Sequence, residues 1–323
     1  VALAALLTTP AAHARVIKAG PYEVHKNLHE AMAAAKPGDT IEVEPGTYFR
    51  TRIGNHRTVR AAQPSQTAAA AVRVQGVTYH MGNNDTADGI QVENVTGGSG
   101  NGIAAHAKSN ILVKNCIARN NRDSGIGASA SDWVRFGPNN RSSGNNKLVK
   151  DQTVPQYSAG MKFYNMAPRG SRPDRFRINN WSRLAMFDNI IAETNSNGVD
   201  GGGINVDRIY ITTEVKILGN NILDNGGPGI AVKAIYNNAK VIVNSNKLNN
   251  NGLTNSGGRI QIAVNGDAVV RCENEQASID KRSIITLVKL NNASGFTGFK
   301  KTGISGNWKM QWVNGDYKWT RLP

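Results

Sequence analysis

The sequence predicts an all-β fold, a parallel β-solenoid of single-stranded coils closed at its start by a short helix, and three observations carry that prediction. A glycine followed by a large apolar residue returns after runs of Asn, Ser or Asp, at Gly102-Ile103, Gly125-Ile126, Gly160-Met161, Gly203-Ile204 and Gly229-Ile230. In phase with it, an Asn leads into apolar residues at Asn94-Val95, Asn115-Cys116-Ile117, Asn189-Ile190-Ile191, Asn221-Ile222-Leu223 and Asn246-Lys247-Leu248. Short β-branched runs such as Val72-Arg73-Val74, Ile111-Leu112-Val113, Val215-Lys216-Ile217 and Val241-Ile242-Val243 alternate, so one face of each strand points inward. Where the ladders are cleanest the step is about 21 to 26 residues, the mark of coils whose rungs are strands and whose corners are Asn and Gly.

The elements follow in order. The chain opens Val1-Ala2-Leu3-Ala4-Ala5-Leu6-Leu7 and reaches an Ala-x-Ala site at Ala12-His13-Ala14, so residues 1–14 read as the tail of a secretory signal peptide and the mature chain is expected to begin near Arg15. Residues 27–35 have helical composition and spacing, and Lys36-Pro37-Gly38-Asp39 breaks the helix before the strand Thr40-Ile41-Glu42-Val43. A helix laid over the open end of stacked strands covers an edge that would otherwise invite pairing. Glu44-Pro45-Gly46-Thr47-Tyr48 then turns into another strand. Pro-Gly-Asp-Thr followed by Pro-Gly-Thr-Tyr resembles the entry of pectate-lyase-like right-handed parallel β-helices, and the resemblance implies that handedness. Residues 15–71 are therefore expected as cap and first coils, and 72–280 as the coils. Residues 281–323 are expected as a last coil with a cap rich in Trp308, Trp312, Tyr317 and Trp319, the whole of 15–323 forming one domain.

Two stretches break the period. Gly125 to Gly160 is 35 residues and Gly160 to Gly203 is 43, so loops are expected to leave the coils on both sides of Gly160. The second stretch sets Arg169, Arg172, Arg175, Arg177 and Arg183 among Tyr164, Phe176, Trp181 and Phe187. Cys116 and Cys272 are the two cysteines; about seven coils between them preclude a disulfide, and each sits in an apolar run, so buried thiols are expected.

Of the 323 residues 39 % are hydrophobic, enough for a sizeable core, and only 19 % are charged, yet Lys and Arg outnumber Asp and Glu by 38 to 23 for a net +15. That surplus favours a polyanionic partner. No recognised nucleic-acid module accompanies it, and no segment approaches the roughly 18 consecutive apolar residues of a membrane span. The expectation is a secreted or periplasmic monomer whose partner is an acidic polysaccharide, not nucleic acid and not a membrane. His29, His56, His80 and His106 show no zinc-binding spacing. Gly201-Gly202-Gly203 and Gly226-Gly227-Pro228-Gly229 lack the Lys-Ser/Thr of a phosphate loop.

The segments Gly102-Ile103-Ala104-Ala105, Asn115-Cys116-Ile117-Ala118-Arg119-Asn120-Asn121-Arg122-Asp123-Ser124-Gly125-Ile126-Gly127 and Gly160-Met161-Lys162-Phe163 resemble the polysaccharide lyase family 9 pectate lyases over about 60 residues. That family reads Asp-Gly-Phe-Ala, then Cys-x-Ala-x-Asn-Asn-x-Asp-Asp-Gly-x-Asp, then Gly-Phe-Lys. The resemblance implies β-elimination on a uronate chain, with Lys162 as the Brønsted base and calcium near Asn101 and Asp123. At the corresponding positions Asn101, Asp123, Ser124 and Gly127, only Asp123 is a carboxylate, whereas calcium takes six to eight oxygen ligands, so calcium stays a candidate cofactor for which these residues supply few ligands.

The chemistry has a route without calcium. Abstracting the proton α to a uronate carboxyl needs a base and a cation that stabilises the developing enolate. Lys162 supplies the base if neighbouring arginines favour its neutral form, and Arg135, Arg175 or Arg183 supplies the cation. Arg183 is thus a catalytic candidate beside Lys162, and Arg135, Arg175, Trp181 and Tyr164 are substrate-binding candidates. Two alternatives stay open. Asp188, Asp200 and Asp207 lie on adjacent coils and could flank a glycosidic bond in a hydrolase, although the Gly-His-Gly and Arg-Ile-Lys signatures of β-helical polygalacturonases are missing. The depleted acids also fit a β-helix that binds carbohydrate without cleaving it.

Overall fold

Asn27 starts the first ordered turn by accepting a hydrogen bond from the Glu30 amide at 2.9 Å, while Glu30 reaches back to the Lys26 amide at 3.1 Å. This reciprocal capping satisfies donors that a helix N-terminus leaves open. The helix runs Leu28–Ala34 and turns Leu28, Ala31 and Met32 into the core. It stops at Ala35, which is already extended ahead of Lys36 and Pro37. The computed structural model describes residues 14–51, 57–62, 72–97, 100–145, 159–166, 182–187, 189–192, 202–209, 213–227, 229–232, 240–244, 246–249, 251, 262–264, 269–273, 275–278, 299–302, 308–313 and 316–321. Of the expected signal-peptide residues 1–14, residues 1–13 lie outside that set, and among the described residues no helix is long and apolar enough to cross a membrane.

Past the helix the chain is a parallel β-helix. Between Thr58 and Val264 each coil visits three sheets in turn, and each strand pairs with the equivalent strand one coil on, whereas the coil before Thr58 has described strands, Thr40–Val43 and Gly46–Tyr48, in two sheets only. Among the described residues sheet A has ten strands, from Val16–Ala19 to Val269–Glu273, and sheet B has twelve, from Gly46–Tyr48 to Asp316–Arg321. Sheet C has seven described strands: Tyr79–His80, Ile103–His106, Ile126–Ser129, Met161–Met166, Ile204–Ile209, Ile230–Val232 and Ile262–Val264. Among the described strands pairing is parallel until the end of sheet B, where Phe299–Thr302, Trp308–Val313 and Asp316–Arg321 pair antiparallel. The four C-terminal aromatics thus fall on a closing hairpin, with Trp312 opposite Tyr317 and Trp319 opposite Met310.

The Gly-Ile ladder has a steric cause. Its apolar members stack in register on sheet C, Ile103 on Ile126 on Met161 on Ile204 on Ile230, and all are fully buried. Burying each contributes about 1.5–3 kcal/mol. The glycines stack too: the Ile103, Ile126, Met161 and Ile204 amides donate to the carbonyls of Gly125, Gly160, Gly203 and Gly229 at 2.8–3.0 Å. A Cβ on Gly102, Gly125 or Gly203 would strike the carbonyl of the next glycine in the stack, and on Gly125 also Ser142 Oγ and Asn145 Nδ2. Only glycine fits, because this corner brings backbone onto backbone.

The Asn ladder forms two buried stacks. At the corner from sheet A to sheet B, Asn189 donates from its amide and Nδ2 to Asn220 Oδ1 at 3.1 and 2.9 Å, and Asn220 donates likewise to Asn246 Oδ1 at 2.9 Å. Asn140 stands above Asn189, and the rung above Asn140 is Cys116. The ladder residue in the Asn221-Ile222-Leu223 coil is therefore Asn220, while Asn115, one residue ahead of Cys116, takes a left-handed φ of 51° on the surface. Asn121 and Asn145 form the second stack, at the corner from sheet B to sheet C, and Asn225 and Asn251 repeat the geometry farther along. Cys116 is buried, which pushes its thiol up to about 12. Five strand steps of sheet A, not seven coils, separate it from the strand holding Cys272, because the long excursions use up chain without adding rungs. Roughly 24 Å still precludes a disulfide.

Candidate functional site

In the strand Met161–Met166, Met161 and Phe163 are buried against the core, so alternation turns Lys162 and Tyr164 outward from sheet C. Lys162 stands in a column with His80, Ala104 and Gly127 on the preceding coils and Asn205 on the next. Two small residues between His80 and Lys162 leave a trough along the helix axis, a groove of about 300 Å³ floored by Ala104 and Gly127. Lys162 and His80 close its ends, Asn101 lies on one side, and His106 and Ser129 lie on the other.

Lys162 Nζ donates to both carboxylate oxygens of Asp123, at 3.1 and 3.0 Å, and the two side chains are 13 % and 9 % exposed. Asp123 comes from the corner between sheets B and C one coil earlier, where Gly100, at a φ of +70°, accepts the Asp123 amide at 2.9 Å. Ser124 Oγ donates to Asp123 Oδ1 at 3.1 Å and accepts the Ala159 amide at 3.1 Å. The carboxylate is thus fixed from behind while the ammonium is drawn to it from the groove side. Asn101 Oδ1 is buried with no hydrogen-bond partner. It lies 3.4 Å from where a Cβ on Gly127 would stand, with Lys162 Cγ 3.5 Å from the same point, so the missing side chain at Gly127 keeps the groove open between them.

Ser129 Oγ and His106 Nδ1 are 2.8 Å apart in the neighbouring column, which continues to Tyr164 and Asp207. Burial pulls His80 below the usual histidine range, which favours its neutral imidazole. His80 and His106, isolated in the sequence, share the groove because one coil carries His80 to Ala104 and His106 lies two residues farther along the same strand, Ile103–His106. That 26-residue spacing was the available signal.

The remaining predicted residues are distributed differently. Arg135 is exposed on sheet A, in the strand Asp132–Phe136, and Arg183 lies on the sheet A strand Ser182–Phe187, opposite Glu214. Both are on another side of the β-helix from Lys162, so the described groove lining holds Lys162 and no arginine. Arg175, Trp181, Asp188 and Asp200 lie outside the described residues. Of the calcium candidates, Asp123 has both oxygens on Lys162 and Asn101 adds one neutral oxygen, so among the described residues these two supply fewer than the six to eight oxygens calcium takes. Among the described residues no three His, Cys, Asp or Glu side chains converge.

No protein-family model matches the chain, and no curated protein matches it in sequence. Among solved structures, Geobacillus virus E2 ORF18 is 12 % identical with a TM-score of 0.47, covering 90 % of this chain and 59 % of that one. The catalytic domain of a GH87 α-1,3-glucanase is 12 % identical at 0.40, covering 84 % of this chain, which spans only 57 % of that domain. Pectate lyase Pel9A is 14 % identical at 0.39, covering 83 % and 78 %. Likenesses at this level carry no argument about what this chain does.

Proposed function

We propose that the sheet C groove is the active site of an exported polysaccharide lyase, which cleaves a uronate-containing chain by β-elimination with Lys162 as the base. The observation that carries this is Lys162 itself: an outward-facing, largely enclosed amine at the end of a groove, aimed by a carboxylate that is itself fixed by Ser124. Neutral Lys162 takes the proton α to the uronate carboxyl. The electron pair left behind forms the carbon–carbon double bond, the glycosidic carbon–oxygen bond breaks, and the leaving oxygen takes up a proton. Both Asp123 oxygens accept from Nζ in the resting pair, and the proton that Nζ removes passes to solvent, from which the leaving oxygen is protonated. Asn101 Oδ1 supports a sugar ligand, because an unsatisfied buried acceptor costs about 1–3 kcal/mol that a sugar hydroxyl donor would recover.

The commitment of both Asp123 oxygens to Lys162 favours a second reading, in which Lys162 stays an ammonium and holds a uronate carboxylate without cleaving the chain. Incubation with polygalacturonate, alginate and glycosaminoglycans, followed by ultraviolet absorbance of the new double bond, separates the two. The lyase reading expects unsaturated product from at least one polymer and none from Lys162→Met. Binding without product on all of them, with and without calcium, would leave the second reading.

A further inference from the structure

Sheet A carries an unusual residue where it meets sheet C. Trp133 has a φ of +51°, a conformation that bulky side chains rarely adopt. The two preceding coils put asparagine at the stacked position, Asn84 with φ 54° and Asn110 with φ 55°, joined by an Asn110 Nδ2 to Asn84 Oδ1 bond of 2.9 Å. Asn tolerates this geometry, so a local backbone preference does not explain the tryptophan. Trp133 is also 45 % exposed, and among the described residues the other large exposed apolar ones, Val16, Tyr22, Val24 and Phe49, lie near the N-terminal end. Two residues on, Arg135 is exposed, separated from Trp133 by the buried Val134 that points into the core. The column through Arg135 runs on to Ala185 and Lys216, so Arg135 and Lys216 stand two rungs and about 10 Å apart. Lys216 in that column is paired with Glu214 at 3.1 Å and remains 45 % exposed.

We propose that the outward face of sheet A at this corner is a separate saccharide-binding surface, on which Trp133 stacks a sugar ring and Arg135 pairs with the carboxylate of an acidic glycan. An exposed indole offers the flat apolar face that a pyranose ring covers, and a guanidinium meets a carboxylate with two parallel donors. Cations spaced along the helix axis fit a linear polyanion lying parallel to the groove on the neighbouring sheet. The ligand class is taken from the proposed function, but the site shares no residue with the Lys162 groove. The surface would hold a long chain on the protein while the groove works on another part of it.

The test is calorimetric titration of the full chain with oligogalacturonate at low salt, using Trp133→Asn, Arg135→Gln and Lys162→Met, with dextran as the neutral control. Trp133→Asn repeats the asparagine of the two preceding coils, so its thermal midpoint should equal or exceed the parent's, and lost binding cannot then be assigned to misfolding. The expected result is affinity lowered roughly tenfold in Trp133→Asn and in Arg135→Gln, no dextran binding, and binding retained at this surface in Lys162→Met. Parental affinity in either sheet A variant, or no binding by the parent, overturns the proposal. Absence of unsaturated product with binding still dependent on Trp133 would sink the lyase reading and leave this surface standing.

Discussion

Removing Asp123 alone should destabilise the protein far more than removing Asp123 and Lys162 together. Nζ lies 3.0 and 3.1 Å from the two carboxylate oxygens, and the side chains are 13 % and 9 % exposed. At an effective dielectric constant near 20 the gross attraction at this distance is about 5 kcal/mol, which desolvation of both ions largely offsets. Asp123→Ala keeps the cost of enclosing the ammonium and loses what offset it, so a loss of about 3–5 kcal/mol is expected. Lys162→Met leaves a carboxylate that still accepts the Ser124 hydroxyl, and its loss should be smaller, about 2 kcal/mol. With neither charge present, Asp123→Ala/Lys162→Met should recover to within about 2 kcal/mol of the parent. The coupling should therefore exceed about 2 kcal/mol, against 0–1 for an exposed pair. Urea unfolding of the four proteins, with the slope m checked for constancy, measures it. Additive single losses, each under about 1 kcal/mol, would show a solvated pair and refute the enclosed geometry on which Lys162's role rests.

Asn220→Leu should leave the buried Asn189 amide and Met186 carbonyl without partners and cost at least about 2 kcal/mol in the same unfolding assay. Two glycines separated by one residue should behave oppositely. Gly125→Ala drives a methyl into Ser142, Asn145 and the Gly160 carbonyl and should prevent folding or cost more than about 3 kcal/mol, whereas Gly127→Ala meets only ordinary contacts, should stay within about 0.5 kcal/mol, and should weaken ligand binding by narrowing the groove. The Arg15 guanidinium, helped by the Lys36 and Arg15 amides, holds Asp39 well below the usual carboxylate range against the opposing effect of burial. Its folded value is depressed, so its stabilisation is complete above about pH 4 and is lost as pH falls further. Thermal midpoints of Asp39→Asn should lie below the parent's at neutral pH and converge with them in acid.

The repeat, the cap and the core were legible in the chain because each follows from a local rule. Glycine is forced where backbone meets backbone at Gly102, Gly125 and Gly203, and isoleucine recurs because each coil buries the same position of sheet C. Asn27 and Glu30 mark the helix start with their own side chains. The phase of the Asn ladder was less legible. Asn220 and Asn221 are neighbours of one residue type, and only the pairing register decides that Asn220 turns inward to bond Asn246.

By itself the sequence determined that this protein is a β-solenoid with a net positive charge, and a family resemblance singled out Lys162 and Asp123 without bringing them together. Tertiary structure decided which faces those residues share. A side chain's place around a three-sheeted coil depends on corner lengths and on the alternation of each strand, and a shift of one residue moves it from groove to core. For that reason Arg135 and Arg183, close to Lys162 in the reading of the chain, stand on sheet A, while His80 and His106, apparently unrelated, flank the groove. The same geometry places Trp133 on the corner beyond, where two preceding coils carry asparagine and a tryptophan was not called for by the fold.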